Sequence, residues 1–552
     1  MTDTPDQGQT ATAGSEPAAT APRSGAGRIV GAAALIAGLT VLARIAGFGR
    51  TVVFISTVQA NSLGDLYNAA NTVPNIVFEL VAGGALASLV VPLLAGAVAA
   101  GDRNRVNAVA SALLTWTLVL LVPLAVLVAL FAGHIVGLLP NMPPEAHEIG
   151  ARMLRIFAPQ LPLYGVGIVL TGVLQAHHRF AWPVIAPLLS SVTVMGAYLT
   201  YAVVDGRGTG LGKLTTGGEL ALSLGTTLGV VVLSLCLLIP LKGLRLRLRP
   251  ALRFPGDAGR QVVRLGWAGA VTVGSQQLMV VVVLALAAGE GDLTSFNLAQ
   301  ALYLLPWAVL AVPLATAAYP TLAATAERGD EDGYRATLAG TARTVVLLAC
   351  LGAAALVAVA GPVADLLDTP QAAPGIAGFA PGLLGYALFA LLSRALYARG
   401  ATSSAAAATA AGWALAAGAA LVLVAVLPGD DKVLALALAN SIGMLTLGAL
   451  LVTAVRRRAG AAALAGLPRA AGVGIVAAVA AGLAGWGVVE ALSPATPAGW
   501  VSVLSGMLGG VVVAVVFLAV TYPLDRHDLR PLVTRVTGRI RRTSAPDGKD
   551  AG

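Results

Sequence analysis

The sequence contains little charge and almost no cysteine. Of its 552 residues only 11% are Asp, Glu, Lys or Arg, while 57% are apolar. Soluble globular domains carry roughly 25% charged residues, so this chain cannot be one soluble globule. The two cysteines, Cys236 and Cys350, fall in apolar stretches, where a free thiol behaves as a small hydrophobic group. Disulfide, zinc and redox chemistry therefore have no support, and the composition predicts a polytopic membrane protein.

The sequence also lacks the common motifs of catalysis and nucleotide binding. It contains no HExxH, no Walker A motif and no convincing nucleophile with its base. The segment 206–212 is rich in glycine, but it follows a membrane span and carries no Lys-Ser/Thr pair. We therefore predict a protein that is not an enzyme and that uses neither a cofactor nor a metal.

Apolar windows of about 20 residues predict fourteen membrane-spanning helices. The Ala/Gly-rich spans after Ala401 are the least distinct, so twelve or thirteen spans are the alternative. The predicted spans are 28–58, 62–100, 104–133, 146–176, 182–204, 217–241, 258–288, 292–327, 333–360, 372–399, 402–427, 431–455, 468–492 and 498–523.

Basic residues concentrate in every second connection between these spans. Cytoplasmic loops of bacterial membrane proteins collect Lys and Arg, so the even-numbered connections are predicted to be cytoplasmic. Both termini then lie in the cytoplasm, and the protein is predicted to be a multi-pass protein of the bacterial plasma membrane. The net charge of +9 reflects this topology and attraction to anionic membrane lipids, rather than nucleic-acid binding.

The chain repeats itself at a period of about 225 residues. The matching landmarks are Pro92-Leu-Leu-Ala95 with Pro320-Thr-Leu-Ala323, Phe157-Ala-Pro159 with Phe379-Ala-Pro381, and Leu174-Gln-Ala176 with Leu396-Tyr-Ala398. The copies lie six spans apart and keep the same orientation, which predicts two parallel six-helix lobes related by a pseudo-twofold axis. The predicted parts are a disordered cytoplasmic tail 1–27, an N-terminal lobe 28–241, a basic linker 242–257, a C-terminal lobe 258–455, two additional helices 456–523 and a basic tail 524–552.

Polar side chains inside the spans are the candidate functional residues. Arg44 and Arg50 lie in the first span, where a cation costs roughly 2.5 to 3.5 kcal/mol and usually indicates a watery cavity or an anionic partner. Snorkelling to an interface and interhelical hydrogen bonding are the alternative explanations for such residues. The second span carries a stripe at helical spacing, and the second lobe adds four amides. These residues are Asp65, Asn68, Asn71, Asn75 and Glu79 in the second span, and Gln276, Gln277, Asn297 and Gln300 in the second lobe.

Several sequence blocks spread along the chain form a recognisable set. They are Ala43-Arg-Ile-Ala-Gly-Phe-Gly-Arg50, Asp65 with Val73-Pro-Asn75, Val90-Val-Pro-Leu-Leu94, His178-Arg-Phe-Ala-Trp-Pro183 with Ala186-Pro187, Tyr303-Leu-Leu-Pro306 and Ser393-Arg-Ala-Leu-Tyr-Ala-Arg399. With these blocks the chain resembles the MurJ (MviN) lipid II flippases of the multidrug/oligosaccharidyl-lipid/polysaccharide exporter superfamily. The resemblance implies transport of the undecaprenyl-pyrophosphate-linked peptidoglycan precursor lipid II from the inner to the outer leaflet by alternating access. It also implies that Arg44 and Arg50 bind the pyrophosphate and that Asp65 is their electrostatic partner or a gate.

The sequence departs from the family pattern at three positions. Arginines of better-studied members are replaced by Phe78 and Ala301, and an asparagine that helps to bind sodium in some members is replaced by Ala416. Other arginines, at positions 152, 155, 394 and 399, are candidates to compensate. The alternatives are an exporter of another polyprenyl-linked glycan, a drug/cation antiporter of the same superfamily, and a non-transporting scaffold that binds cell-wall synthesis proteins.

Overall fold

The computed structural model describes residues 24–139, 142–244, 246, 248–253, 258–492 and 499–524, and for 24–37, 82–89 and 258–270 it describes the backbone alone. Most of the predicted tails 1–27 and 524–552, and part of the linker 242–257, lie outside the described residues. Within them the chain is helical and contains no β-strand. The predicted all-α fold class is therefore confirmed.

The first lobe contains ten α-helices. They are α1 Ser24–Thr57, α2 Ser62–Phe78, α3 Gly84–Ala99, α4 Arg103–Leu130, α5 Ala132–Gly137, α6 Pro144–Phe157, α7 Gln160–Ala176, α8 Ala181–Val204, α9 Thr216–Leu235 and α10 Leu238–Lys242. The second lobe and the two added helices continue the series. They are α11 Ala258–Ala287, α12 Asp292–Pro306, α13 Val312–Glu327, α14 Glu331–Leu366, α15 Ala372–Phe379, α16 Gly382–Ala398, α17 Thr402–Val426, α18 Lys432–Ala459, α19 Leu467–Leu492 and α20 Gly499–Leu524.

The described residues contain eleven helices that are long and apolar enough to cross a membrane. The bent pair α15 and α16, with an angle of 46° between its halves, raises the number to twelve. The apolar segments Val90–Ala99 and Val271–Ala287 fall where two more spans were predicted, but they are shorter over the residues searched. The chain is thus a multi-pass membrane protein, and the count of fourteen stays a prediction.

The repeat in the sequence is also a repeat in the backbone. Gly101 and Gly329 both have φ of +69°, a left-handed conformation that glycine adopts without strain. The next residue in each copy caps the following helix: Asp102 accepts from the Arg105 amide at 3.0 Å and Asp330 from the Gly333 amide at 2.9 Å. The repeat therefore extends to the turn and cap chemistry at the start of α4 and α14.

A one-turn π-helix interrupts the second helix of each repeat. Glu79–Gly83 separates α2 from α3, and Trp307–Ala311 separates α12 from α13. The landmark Phe-Ala-Pro also breaks both copies alike, because α6 ends at Phe157 and α15 ends at Phe379. Both phenylalanines are fully buried, so each break lies inside the packed interior of its lobe.

Helices α19 and α20 pack against each other and against α14, outside the two repeats. The linker between the lobes remains attached to the first lobe along α4. The Arg249 and Ala251 amides donate to the hydroxyls of Ser111 and Thr115, each at 3.0 Å. The Trp116 indole donates to the Leu252 carbonyl at 2.9 Å. These three hydrogen bonds hold residues 249–252 of the linker against α4.

Candidate functional site

Arg44 and Arg50 line the same cavity between the lobes. It measures about 560 Å³ and is bounded by α1, by the first half of α8 and by α12. A second space of about 260 Å³ adjoins it, because both are lined by Arg50, Thr51, Ala301 and Leu304. We call the two spaces together the central cavity. Among the described lining residues, the charge comes from the two arginines, and neither Asp nor Glu is present.

Both arginine side chains are exposed to this cavity rather than engaged by the protein. Over the described part of the chain, neither guanidinium makes a hydrogen bond or an ion pair. Two of the arginines that could compensate for missing ones behave differently: Arg152 pairs with Glu219 at 2.7 Å, and Arg399 pairs with Glu331 and stacks on a tyrosine ring. The central cavity therefore presents unpaired positive charge, a natural partner for a multivalent anion.

Asp65 lies away from the two arginines, at the contact between the lobes. It is fully buried and accepts hydrogen bonds from backbone amides that precede and begin α12. The donors are the amides of Gly289 at 3.1 Å, Gly291 at 2.8 Å, Leu293 at 3.4 Å and Thr294 at 2.8 Å, and the Thr294 hydroxyl at 2.8 Å. A first-lobe carboxylate thus caps a second-lobe helix, where the positive end of the helix dipole favours an anion.

The backbones of the two lobes meet beside this carboxylate. Gly291 has φ of +94°, and a β-carbon placed there would lie 2.4 Å from the Ala60 carbonyl oxygen. The Asn68 amide donates to the Thr294 hydroxyl at 3.0 Å and adds a second interlobe contact. We call Asp65, Asn68, Gly291 and Thr294 the interlobe latch. These contacts close the space between the two lobes at this end of the helix bundle.

Of the other polar residues predicted on α2, some line the central cavity and some do not. Asn71 lines the central cavity, and its buried Oδ1 atom has no hydrogen-bond partner among the described residues. Asn75 donates to the Asn71 carbonyl at 3.1 Å, within the helix. Glu79 begins the π-helical turn with a half-buried side chain. The structure therefore brings Asn68 and Asn71 to Arg50, and leaves Asn75 and Glu79 outside the central cavity's lining.

The second-lobe amides also divide. Asn297 and Gln300 line the central cavity and a further space of about 160 Å³ inside the second lobe, which Gln276 lines as well. Gln277 is buried and lines neither space. Sequence reasoning missed Asn440 and Tyr303, which line the second-lobe space and carry unpaired buried oxygens. A lone Asn in the apolar run of α18 was the available signal.

The three departures from the family pattern have distinct surroundings. Phe78 is buried against Tyr164, with ring centroids 5.5 Å apart, whereas Ala301 lines the central cavity. Ala416 is fully buried, and a β-carbon on Gly443 of the neighbouring helix would lie 2.5 Å from its own. A larger polar side chain has no room at position 416. Of the two positions without arginine, only Ala301 lines the central cavity, and position 416 is occupied by close helix packing.

Comparisons with known proteins agree with this architecture. A solved structure titled "Lipid II flippase MurJ, inward closed conformation" superimposes with a TM-score of 0.66, covering 88% of this chain and 99% of that chain at 16% identity. An inward-facing multidrug resistance transporter of the MATE family and MOP superfamily gives 0.56 over 77% of this chain and 94% of that chain, at 15% identity. At these identities the two structures show a shared fold.

Sequence relatives point to one family. A protein of Burkholderia cenocepacia named lipid II flippase MurJ is 26% identical over 66% of this chain and 72% of its own length. A protein of Rhizobium meliloti named probable lipid II flippase MurJ is 27% identical over 60% of this chain and 62% of its own length. The family model described as "Lipid II flippase MurJ" matches residues 55–502, which is most of the chain. On this match, the chain belongs to the MurJ family.

Proposed function

We propose that this protein moves lipid II, the undecaprenyl-pyrophosphate-linked peptidoglycan precursor, from the inner to the outer leaflet by alternating access. The observation that carries the proposal is the pair Arg44 and Arg50, unpaired and facing one cavity between two lobes. Family membership supplies the substrate class.

The charge of the cavity suits a pyrophosphate. Its phosphate oxygens are multivalent acceptors, and each guanidinium offers a planar fork of donors that can bind two oxygens at once. Removal from bulk water strengthens this attraction, because the effective dielectric constant inside the protein is lower. The lipid-linked headgroup can therefore exchange its hydration for the two arginines when it enters the space between the lobes.

The interlobe latch supports a proposal for direction. The latch joins the first half of α2 to the start of α12 and the residue before it. The charge pattern assigns the connections that precede these two helices to the outside. The central cavity instead extends to the start of α8, beside the basic connections. We infer a state closed toward the outside, with both termini in the cytoplasm and the protein in the bacterial inner membrane. Transport then requires the latch to break, so that Asp65 acts as a gate.

The alternatives make different demands on the cavity. A drug/cation antiporter needs acidic side chains there, and the described lining contains none. An exporter of another polyprenyl-linked glycan would use the same arginines and differ in the sugar. A scaffold for cell-wall synthesis proteins would need neither unpaired arginines nor a breakable latch. The experiment below separates these possibilities.

Movement of labelled lipid II across proteoliposome membranes tests the proposal. The R44A/R50A double variant should slow movement by at least about a hundredfold, because two charge-assisted contacts are removed. R155A is the matched control, since Arg155 is exposed on α6 outside the central cavity. Equal rates in all three proteins would refute the arginine site. An inactive wild-type protein, under an imposed membrane potential, would favour another glycan lipid or a scaffold.

A further inference from the structure

A separate chamber lies inside the second lobe, next to the central cavity. It measures about 160 Å³ and is enclosed by α11, α12, α16, α17 and α18, with Thr72 of α2 at its edge. We call it the second-lobe chamber. At about 30 Å³ for each water molecule, it has room for about five, far more than a single water or bare ion needs.

The polar groups that line the chamber are neutral, and two of them are buried without a hydrogen-bond partner among the described residues. Asn440 is 2% exposed and Tyr303 is 3% exposed, yet the Oδ1 atom of the first and the hydroxyl of the second make no hydrogen bond in the described part of the chain. Gln276, Asn297 and Gln300 add amide groups to the lining, of which Gln276 is exposed and the other two are half-buried. Buried polar atoms in native proteins nearly always find a partner. This arrangement therefore indicates a ligand that supplies the missing bonds.

The chemistry of the lining defines the class of ligand. The described lining residues include no charged side chain, so the chamber does not compensate a phosphate or a carboxylate. Amides and a hydroxyl offer both donors and acceptors, while a cation would use oxygens alone. Tyr303, Tyr386 and Trp413 add aromatic surface. Hydrogen-bonding edges combined with apolar ring faces match a pyranose sugar, which has hydroxyls at its rim and C–H groups on its faces.

The chamber lies within reach of the arginines. Asn297, Gln300 and Leu304 line both the chamber and the part of the central cavity that contains Arg50. A pyrophosphate held at Arg50 would therefore place the sugar attached to it at the mouth of the chamber.

We propose that the second-lobe chamber binds the uncharged carbohydrate portion of the substrate and distinguishes glycosylated from bare polyprenyl pyrophosphate. This inference rests on the proposed function of the central cavity, and it assigns specificity to residues outside the arginine pair. Asn440, Tyr303 and Gln276 are its specificity-determining residues.

A comparison of two substrates tests the inference. In proteoliposomes, N440A should slow lipid II by about threefold to tenfold, the cost of one lost neutral hydrogen bond, and leave sugar-free polyprenyl pyrophosphate unchanged. T446V is the control, because Thr446 lies on the same helix outside the chamber and bonds its own helix backbone. An equal loss for both substrates, or no loss for either, would overturn the inference. An inactive wild-type protein would instead count against the proposed function.

Tryptophan fluorescence gives a measurement that does not depend on transport. Trp413 lines the chamber, so the monosaccharide N-acetylglucosamine should change the emission of the purified protein, and W413F should remove that change. N440A should weaken the apparent affinity by about threefold or more. A response to sodium or to a short peptide, with none to the sugar, would refute the carbohydrate assignment. T446V should bind the sugar as the wild type does.

Discussion

The two lobes share a backbone plan but present different chemistry to the space between them. The first lobe contributes Arg44 and Arg50, both exposed and unpaired among the described residues. The second lobe contributes Asn297, Gln300 and the small Ala301. Turns, caps and π-helical turns recur in both copies, whereas the charge does not. The repeat therefore supplies a symmetric frame, and the charge of the space between the lobes depends on the residues that differ between its halves.

The largest expected difference between the lobes comes from placing a carboxylate on the cavity-lining surface of each lobe in turn. Arg50→Glu removes a cation and adds a like charge next to phosphate, so transport of lipid II should fall by at least about a hundredfold. Gln300→Glu adds the same charge on the neutral face and should cost about tenfold. Rates of lipid II movement in proteoliposomes measure both. Equal losses would mean that the two faces contribute alike.

Two acidic residues near the start of α12 allow a sharper test of the interlobe latch. Asp65→Asn should turn an amide N–H toward backbone donors and weaken the latch, because hydrogen bonds to a charged group contribute about 1.5–3 kcal/mol. The outer end should then open more often. Asp292→Asn is the control, since Asp292 pairs with Lys432 at 3.4 Å within the second lobe.

The readout is labelling of a cysteine at position 71, in a background without Cys236 and Cys350, by a thiol reagent that cannot cross the membrane. We expect about tenfold faster labelling from outside in Asp65→Asn and little change in Asp292→Asn. Unchanged labelling in both would show that the outer end is held closed by other contacts.

The smallest effects should be equal in the two lobes. Asp102→Ala and Asp330→Ala each remove one helix cap of matching geometry, so each should lower the free energy of unfolding by about 1 kcal/mol. Thermal unfolding of the purified variants in detergent measures this change. A clear difference between them would show that the two repeats differ in stability as well as in charge.

The sequence predicted local features well, because they depend on neighbouring residues. Apolar length located the helices, and the recurring Phe-Ala-Pro aligned the two repeats. The helix breaks at Phe157 and Phe379 were not predicted, because each falls inside a segment predicted as one span. A cation in an apolar span indicated a cavity at Arg44 and Arg50, and both residues line one in the structure, while their binding of pyrophosphate stays a prediction. Each of these inferences used only a short window of sequence, together with the free-energy cost of burying a polar group.

Long-range partners could not be predicted in the same way. The hydrogen-bond donors to Asp65 are mostly backbone amides from the other lobe. Almost every residue has a backbone amide, so the pattern of side chains does not identify these donors. The stripe on α2 could not separate Asn71, which lines the cavity, from Asn75, which bonds within its helix. Gln277 was grouped with Gln276 by adjacency, although one position along a helix turns a side chain by about 100°.

The corresponding π-helical turns of the two repeats also bear on how the repeats arose by duplication. A π-helical turn is rare, and it arises when one residue is added to an α-helix without disrupting its neighbours. Both copies contain it at the corresponding place, Glu79–Gly83 in one and Trp307–Ala311 in the other. One addition before duplication accounts for the pair, whereas two separate additions would have to coincide. The extra residue was therefore already present in the ancestral six-helix unit. It is older than the difference in charge between the two lobes.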